Sequence, residues 1–127
     1  MIFEHIKLPF PPSVNHLYGQ NGHFRYITPK GVAWFDEAGW ELKRQVLLSP
    51  LWGGKILEGP IKICIKLYYC GRFDWDNGLK ALNDIFMKME IIKDDSQIMF
   101  GQVEKIKVKH KELRRCEVSI YDYIQKK

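Results

Sequence analysis

Cysteine is scarce in this chain, and what there is excludes two kinds of protein. Cys64, Cys70 and Cys116 are odd in number and lack C-x-x-C spacing, so neither a disulfide framework nor a zinc site is expected. The histidines, His5, His16, His23 and His110, have no ligand spacing either. Long hydrophobic runs are missing: apolar stretches last a few residues, against the ~20 that a membrane-spanning helix needs. Met1–Pro9 shows no basic leader followed by an apolar core and a small-residue cleavage site. A soluble, cytoplasmic protein with no membrane partner is therefore expected. Repeats and low-complexity segments are absent, and 127 residues suffice for one core but not two, so a single domain spanning 1–127 is expected. Negative charge is in short supply as well. Fifteen acidic residues face 20 Lys and Arg, and the net charge of +5 favours anionic partners such as nucleic acid.

Against that deficit the chain gathers acid in one place. Asp74, Asp76, Asp84, Asp94 and Asp95 fall within residues 74–95, beside Lys80. In an extended segment Asp74 and Asp76 point the same way and can share one ion, while Trp75 points to the other side and packs. A hard divalent cation of the Mg2+ class takes oxygen ligands and keeps several waters, so two or three carboxylates and a substrate phosphate suffice. Lys80, one helical turn past Asp76, is placed to contact the scissile phosphate or to stabilise charge developing in the transition state. Each piece also has a plainer reading. Asp76 serves equally as a helix N-cap, Asp76, Lys80 and Asp84 as surface ion pairs, and Asp94-Asp95 as turn formers. Their co-occurrence favours a site.

Periodicity places these residues on elements. Ile2–Leu8 reads as a strand ending at Pro9, and Pro11-Pro12-Ser13 leads into an ordered loop through Asn15 and Tyr18. Thr28 caps a helix whose first residue is Pro29 and whose apolar positions Val32, Phe35, Ala38, Leu42 and Val46 carry it to about Leu48. Pro50 and Gly53-Gly54 break it, and Gly59-Pro60 opens a strand from Ile61 to Tyr69, apolar enough to be central. A second helix runs from about Asp76 to Met89, with Leu79, Leu82, Phe86 and Met89 inward and Asp76, Lys80 and Asp84 stacked on another face. Strands at about Ile98–Lys109 and Arg114–Ile124 follow, joined at His110-Lys111-Glu112. The order β-α-β-α-β-β implies an α+β fold with a mixed sheet and two main helices.

Three separated motifs resemble the RusA family of Holliday junction resolvases, small homodimeric endodeoxyribonucleases of bacteria and their phages. Asp74, Asp76, Asn77 and Lys80 match D-x-D-N-x-x-K. Asp94, Asp95, Ser96 and Gln97 match D-D-[SA]-Q, and Leu8-Pro9-Phe10-Pro11-Pro12-Ser13-Val14-Asn15 is similar to L-P-x-P-P-S-x-N. The resemblance implies a RusA-like fold, with Asp74, Asp76 and Asp95 as the metal-binding catalytic aspartates and Lys80 as the lysine needed for cleavage. It further implies dependence on Mg2+ or Mn2+, a symmetric homodimer, branched DNA as substrate, and paired nicks that resolve a four-way junction. Asp94 is next to the site.

One departure is visible. The best-known members carry a dense arginine run before the first aspartate, where this chain has Tyr68-Tyr69-Cys70-Gly71-Arg72-Phe73. Compensating charge is expected from Lys105, Lys107, Lys109 and Lys111, alternating along one strand face with Ile106 and Val108 opposite. Asn15, Arg25, Arg72 and Asn77 are further candidate DNA contacts. Two rival readings stay open: a non-catalytic nucleic-acid-binding module of the same fold, and a metal nuclease acting on flaps or RNA. Geometry raises a third question. A helix from Asn77 to Glu90 carries the chain ~20 Å from Asp76. Asp95 then rejoins Asp76 only if the chain doubles back, the helix ends early, or a partner subunit supplies part of the site.

Overall fold

Alternation of apolar and polar residues along Ile61–Tyr69 builds the strand around which the other elements are arranged. In the computed structural model, which describes residues 3–47 and 55–124, the elements run β1 (Phe3–Leu8), α1 (Val14–Leu17), β2 (Tyr18–Asn21), β3 (Phe24–Ile27), α2 (Pro29–Leu47), β4 (Ile61–Tyr69), α3 (Leu79–Lys88), β5 (Ile98–Lys107) and β6 (Arg115–Asp122). Short 3-10 turns at Asp95–Gln97 and Lys111–Leu113 precede β5 and β6. The main sheet has the order β1-β6-β4-β5, with β4 antiparallel to β6 and parallel to β5. The expected α+β class, mixed sheet and two main helices, α2 and α3, are found, and the four-residue α1 is a third helix among the described residues. Their sequence-based boundaries at Leu48, Pro50 and Gly53-Gly54 lie outside the described residues.

One face of β1, β6 and β4 is lined by apolar side chains. Ile63 stands beside Ile120, Ile65 beside Val118 and Leu67 beside Cys116, with Ile6 and Leu8 of β1 continuing the rows. These side chains are buried under Phe35, Ala38 and Leu42 of α2 and Leu82, Ile85 and Phe86 of α3. Burial also pushes the Cys116 thiol well above its ordinary range, leaving it a small inert hydrophobe. The other face presents Lys62, Cys64, Lys66, Gln102 and Glu104, each half-buried or exposed. Phe86 has no exposed surface, so Phe86→Ala should cost about 3–5 kcal/mol of stability, read as a shift in urea midpoint at constant m-value.

Several boundaries differ from expectation. On α2, Thr28 Oγ1 accepts from the Gly31 amide at 3.0 Å, as a cap should. Its stripe is rotated, however: Trp34 is buried beside Phe35, while Val32 is 47% exposed. The segment after Pro12 is not a loop but α1 and a β2–β3 hairpin, turning at Gly22 with φ +63. The last two strands do not pair with each other, because β4 lies between them, and β5 ends at Lys107.

Candidate active site

The acidic residues after β4 sit on a tight turn rather than in an extended segment. The Asn77 amide donates to the Asp74 carbonyl at 3.0 Å, and the Leu79 amide donates to that of Asp76 at 3.2 Å. Asp at the first position and Asn at the fourth suit a turn, and this local chemistry delays the helix. α3 therefore starts at Leu79 with Gly78 at its N-cap position, and Asp76 is not its cap. Trp75 does not pack, being 59% exposed. The turn is held from behind by the proline loop. A Cβ on Gly78 would lie 2.6 Å from Pro11 Cγ, and the Phe10 and Phe73 rings meet edge to face at 4.6 Å between centroids. Two of the three sequence motifs thus touch.

Lys80 is the first residue of the site whose side chain is steered. Its Nζ lies 3.0 Å from Asp84 Oδ1, one helical turn on, and Asp84 is buried. Tyr18 Oη donates to the other carboxylate oxygen, Oδ2. Partial burial, then the Asp84 hydrogen bond and charge, push the Tyr18 hydroxyl up to about 12, partly opposed by Arg25 stacked 4.1 Å from its ring centroid. Tyr18 therefore remains a donor across the physiological range. Sequence reasoning saw the Lys80 to Asp84 spacing but gave Asp84 no certain role, and it missed Tyr18, which is 66 residues away in the chain.

The D-D-S-Q segment divides into a scaffold and a free carboxylate. Asp94 Oδ2 accepts from the Ser96 amide at 3.2 Å, and these hydrogen bonds hold its carboxyl below the usual range. Gln97 Oε1 accepts from the Lys93 and Asp94 amides, both at 2.8 Å, while its Nε2 donates to the Leu57 and Gly59 carbonyls. Asp94 and Gln97 thus close a capping box that fixes where Asp95 stands. Gln97→Ala removes all four bonds. It should destabilise by about 2 kcal/mol in chemical denaturation, because the carbonyls and amides it serves are left to find water.

Asp74, Asp76 and Asp95 differ from Asp84 and Asp94 in one respect. Among the described residues their carboxylates make no ion pair and no side-chain hydrogen bond, whereas Asp84 is held by Lys80 and Tyr18 and Asp94 by Ser96. Hard oxygen donors without protein partners fit a cation of the Mg2+ class in kind. Within one chain they are not assembled: no three His, Cys, Asp or Glu of the described residues cluster as a metal cage. Topology gives the reason. Parallel pairing sets Ile61 beside Ile98 and Tyr69 beside Lys107. Asp95 therefore precedes the near end of β4, and Asp74 follows its far end, with a strand about 26 Å long, for eight steps, between those ends.

The other candidates scatter over several surfaces. Arg72 and Asn77 flank the acidic turn, and Asn15 is exposed on α1. Arg25 lies on the hairpin, stacked on Tyr18. Lys105 and Lys107 stand beside Leu67 and Tyr69, with Ile106 on the opposite face, so the expected alternation holds that far. Lys109 and Lys111 lie beyond the strand end.

With this geometry in view, the comparisons are specific. A family model described as Endodeoxyribonuclease RusA matches residues 9–121, a span that holds the acidic turn, Lys80 and the D-D-S-Q turn. The crossover junction endodeoxyribonuclease of Enterobacteria phage 82 is 33% identical over 106 residues, covering 82% of this chain and 83% of that protein. Its counterpart in Escherichia coli strain K12 is 31% identical over 105 residues, covering 81% and 82% respectively. That of Shigella sonnei strain Ss046 is 32% identical over 105 residues. The protein is an endodeoxyribonuclease, a hydrolase of the DNA backbone. More narrowly, the chain belongs to the RusA family. No helix among the described residues is long and apolar enough to cross a membrane.

Proposed function

We propose that this protein is a structure-selective endonuclease that resolves four-way (Holliday) junctions in DNA recombination and repair. It works as a symmetric homodimer with Mg2+, or with Mn2+ in its place, in the bacterial cytoplasm, from a host or phage gene. One observation carries the reading: in a RusA-family chain, two carboxylates without a side-chain partner among the described residues share a turn that leads directly into a lysine steered by Asp84. The names of the relatives, crossover junction endodeoxyribonucleases, support the branched substrate.

Asp74 and Asp76 of one subunit and Asp95 of the other hold the cation. The separation of these residues along β4 supports a site closed across the two-fold axis rather than within a chain. When bound, the cation supplies positive charge at the scissile phosphate and lowers the pKa of water, so that hydrolysis runs near neutral pH. The chain's own contribution is positional. Lys80 spends one ammonium donor on Asp84 and keeps two for a phosphate oxygen, where it stabilises charge that grows in the transition state. Two sites related by symmetry act on two strands, giving paired nicks.

The deciding experiment is a cleavage assay on synthetic four-way junctions, flaps, RNA and plain duplex, with Mg2+, Mn2+ or chelator. Symmetric nicks confined to the junction and abolished by chelator are expected. Equal cutting of flaps or RNA would favour a nuclease of broader choice, and junction binding without nicking would favour a non-catalytic module.

A further inference from the structure

A cleft of about 680 Å3 opens beside the acidic turn, between the proline loop, the first turns of α2 and the turn at Lys111–Leu113. Its charge is one-sided. Lys30, Arg72, Lys111 and Arg114 line it against the single acid Glu37, and none of the four is in an ion pair among the described residues. Unpaired cations facing one concavity focus a positive potential there, which attracts an anion. Its lining also carries the aromatic rings of Phe10, Trp34 and Phe73. Phe10 and Phe73 meet edge to face, the Arg114 guanidinium lies 5.5 Å from the Phe10 centroid, and Trp34 is fixed by donating Nε1–H to the Pro9 carbonyl at 3.1 Å.

Cations for phosphates combined with aromatic surface for bases is the chemistry of a single-strand site. The volume agrees, being that of a pocket for a small ligand. A duplex, whose major groove alone is ~12 Å wide, does not enter a space of this order. The cleft also borders the acidic turn, since Asn77 of the turn lines it together with Arg72 and Phe73, which lead into the turn. Asp74 and Asp76 each directly adjoin a residue of the lining, Phe73 and Asn77, so nucleotides beside a phosphate held at the turn are within reach of the cleft.

We propose that this cleft holds unpaired nucleotides flanking the cut phosphate, with their phosphates on Lys30, Lys111 and Arg114 and their bases against Phe10 and Phe73. Cleavage next to the cleft rests on the junction-endonuclease reading; the binding of a single strand does not. In a branched substrate such a site favours a strand already freed from pairing at the crossover, so it selects branch over duplex without reading sequence.

The test uses the full-length protein, a short oligothymidylate in chelator, and the triple variant Lys30→Ala/Lys111→Ala/Arg114→Ala, with Lys62→Ala/Lys66→Ala on the open sheet face as control. The triple variant should bind oligothymidylate at least about tenfold more weakly, and its log–log salt slope should shrink by about 2, or roughly 0.7 for each of three lost phosphate contacts. The control should change neither. Should the triple variant fail to fold, judged by its thermal melt, the single variants Lys30→Gln and Arg114→Gln are each expected to lower the slope by about 0.7. Wild-type affinity and slope in folded cleft variants, or an equal loss in the control, would overturn the proposal. Because oligothymidylate binding needs no cleavage, failure of the wild-type protein to nick any junction would sink the functional reading while leaving this result standing.

Discussion

Asp76→Asn and Asp95→Asn should each abolish junction nicking, yet the two chains produced together should regain it, with one nick per junction in place of two. Asparagine keeps the size of the side chain and removes the negative charge that a hard cation requires. A loss of at least about a thousandfold is expected for each variant alone, or ~4 kcal/mol of transition-state stabilisation. Recovery follows from the parallel pairing of β4 with β5, which sets Asp95 before one end of β4 and Asp74 after the other. In a mixed dimer one site carries both substitutions and the other carries neither. Random association makes about half of the dimers mixed, so about a quarter of all sites should be intact. The readout is the ratio of nicked to fully resolved junction, with dimers mixed by co-expression so that slow exchange cannot hide the result. If co-expressed chains stay inactive while each variant binds junctions normally, the site closes within one chain. Loss of junction binding by either variant would instead assign these residues to recognition.

Asp84→Asn should lower the single-turnover cleavage rate at saturating enzyme by about 10- to 100-fold while leaving junction affinity unchanged. The neutral amide still accepts from Tyr18 but no longer holds the Lys80 ammonium by charge, so the lysine samples positions away from the phosphate. Tyr18→Phe should act in the same direction and more weakly, since it removes only the bond that orients the carboxylate. A purely structural role is separated by a double-mutant cycle. With Lys80→Ala already present, Asp84→Asn should cost almost nothing further in rate, whereas independent packing effects would add. The pH course is also fixed. The folded Tyr18 hydroxyl titrates near 12 against an ordinary value of 10.0, so its contribution is fully present below about pH 10 and is lost as pH rises towards 12. Over the neutral range the Tyr18 hydroxyl should therefore add no pH dependence of its own.

How much of this the sequence reveals depends on the distance over which the cause operates. β4 is legible to the residue because Gly59-Pro60 marks its start and alternation of apolar side chains runs unbroken to Tyr69. α2 is legible from Thr28-Pro29, but Val32 and Trp34 compete for the inward stripe, and only packing on the sheet decides for Trp34. The start of α3 is misread because an Asp before an apolar run signals a helix cap and a turn alike. The hairpin at Tyr18–Ile27 escapes notice because its strands are four residues long and largely exposed, although Asn21-Gly22 is a strong turn signal. At the site, the three motifs are readable as patterns. What joins the first two, Tyr18 to Asp84 and Pro11 to Gly78, lies far apart in the chain and emerges only on folding.

The contact of Pro11 with Gly78 bears on how such enzymes can be recombined with one another. A proline ring has no rotamer with which to yield, so any side chain at residue 78 would push the acidic turn off its seat, and a different loop before Asn15 would leave it without one. The two segments, more than sixty residues apart, form one cassette. A chimera between relatives that exchanges both should keep its activity, and one that exchanges either alone should lose it while still folding.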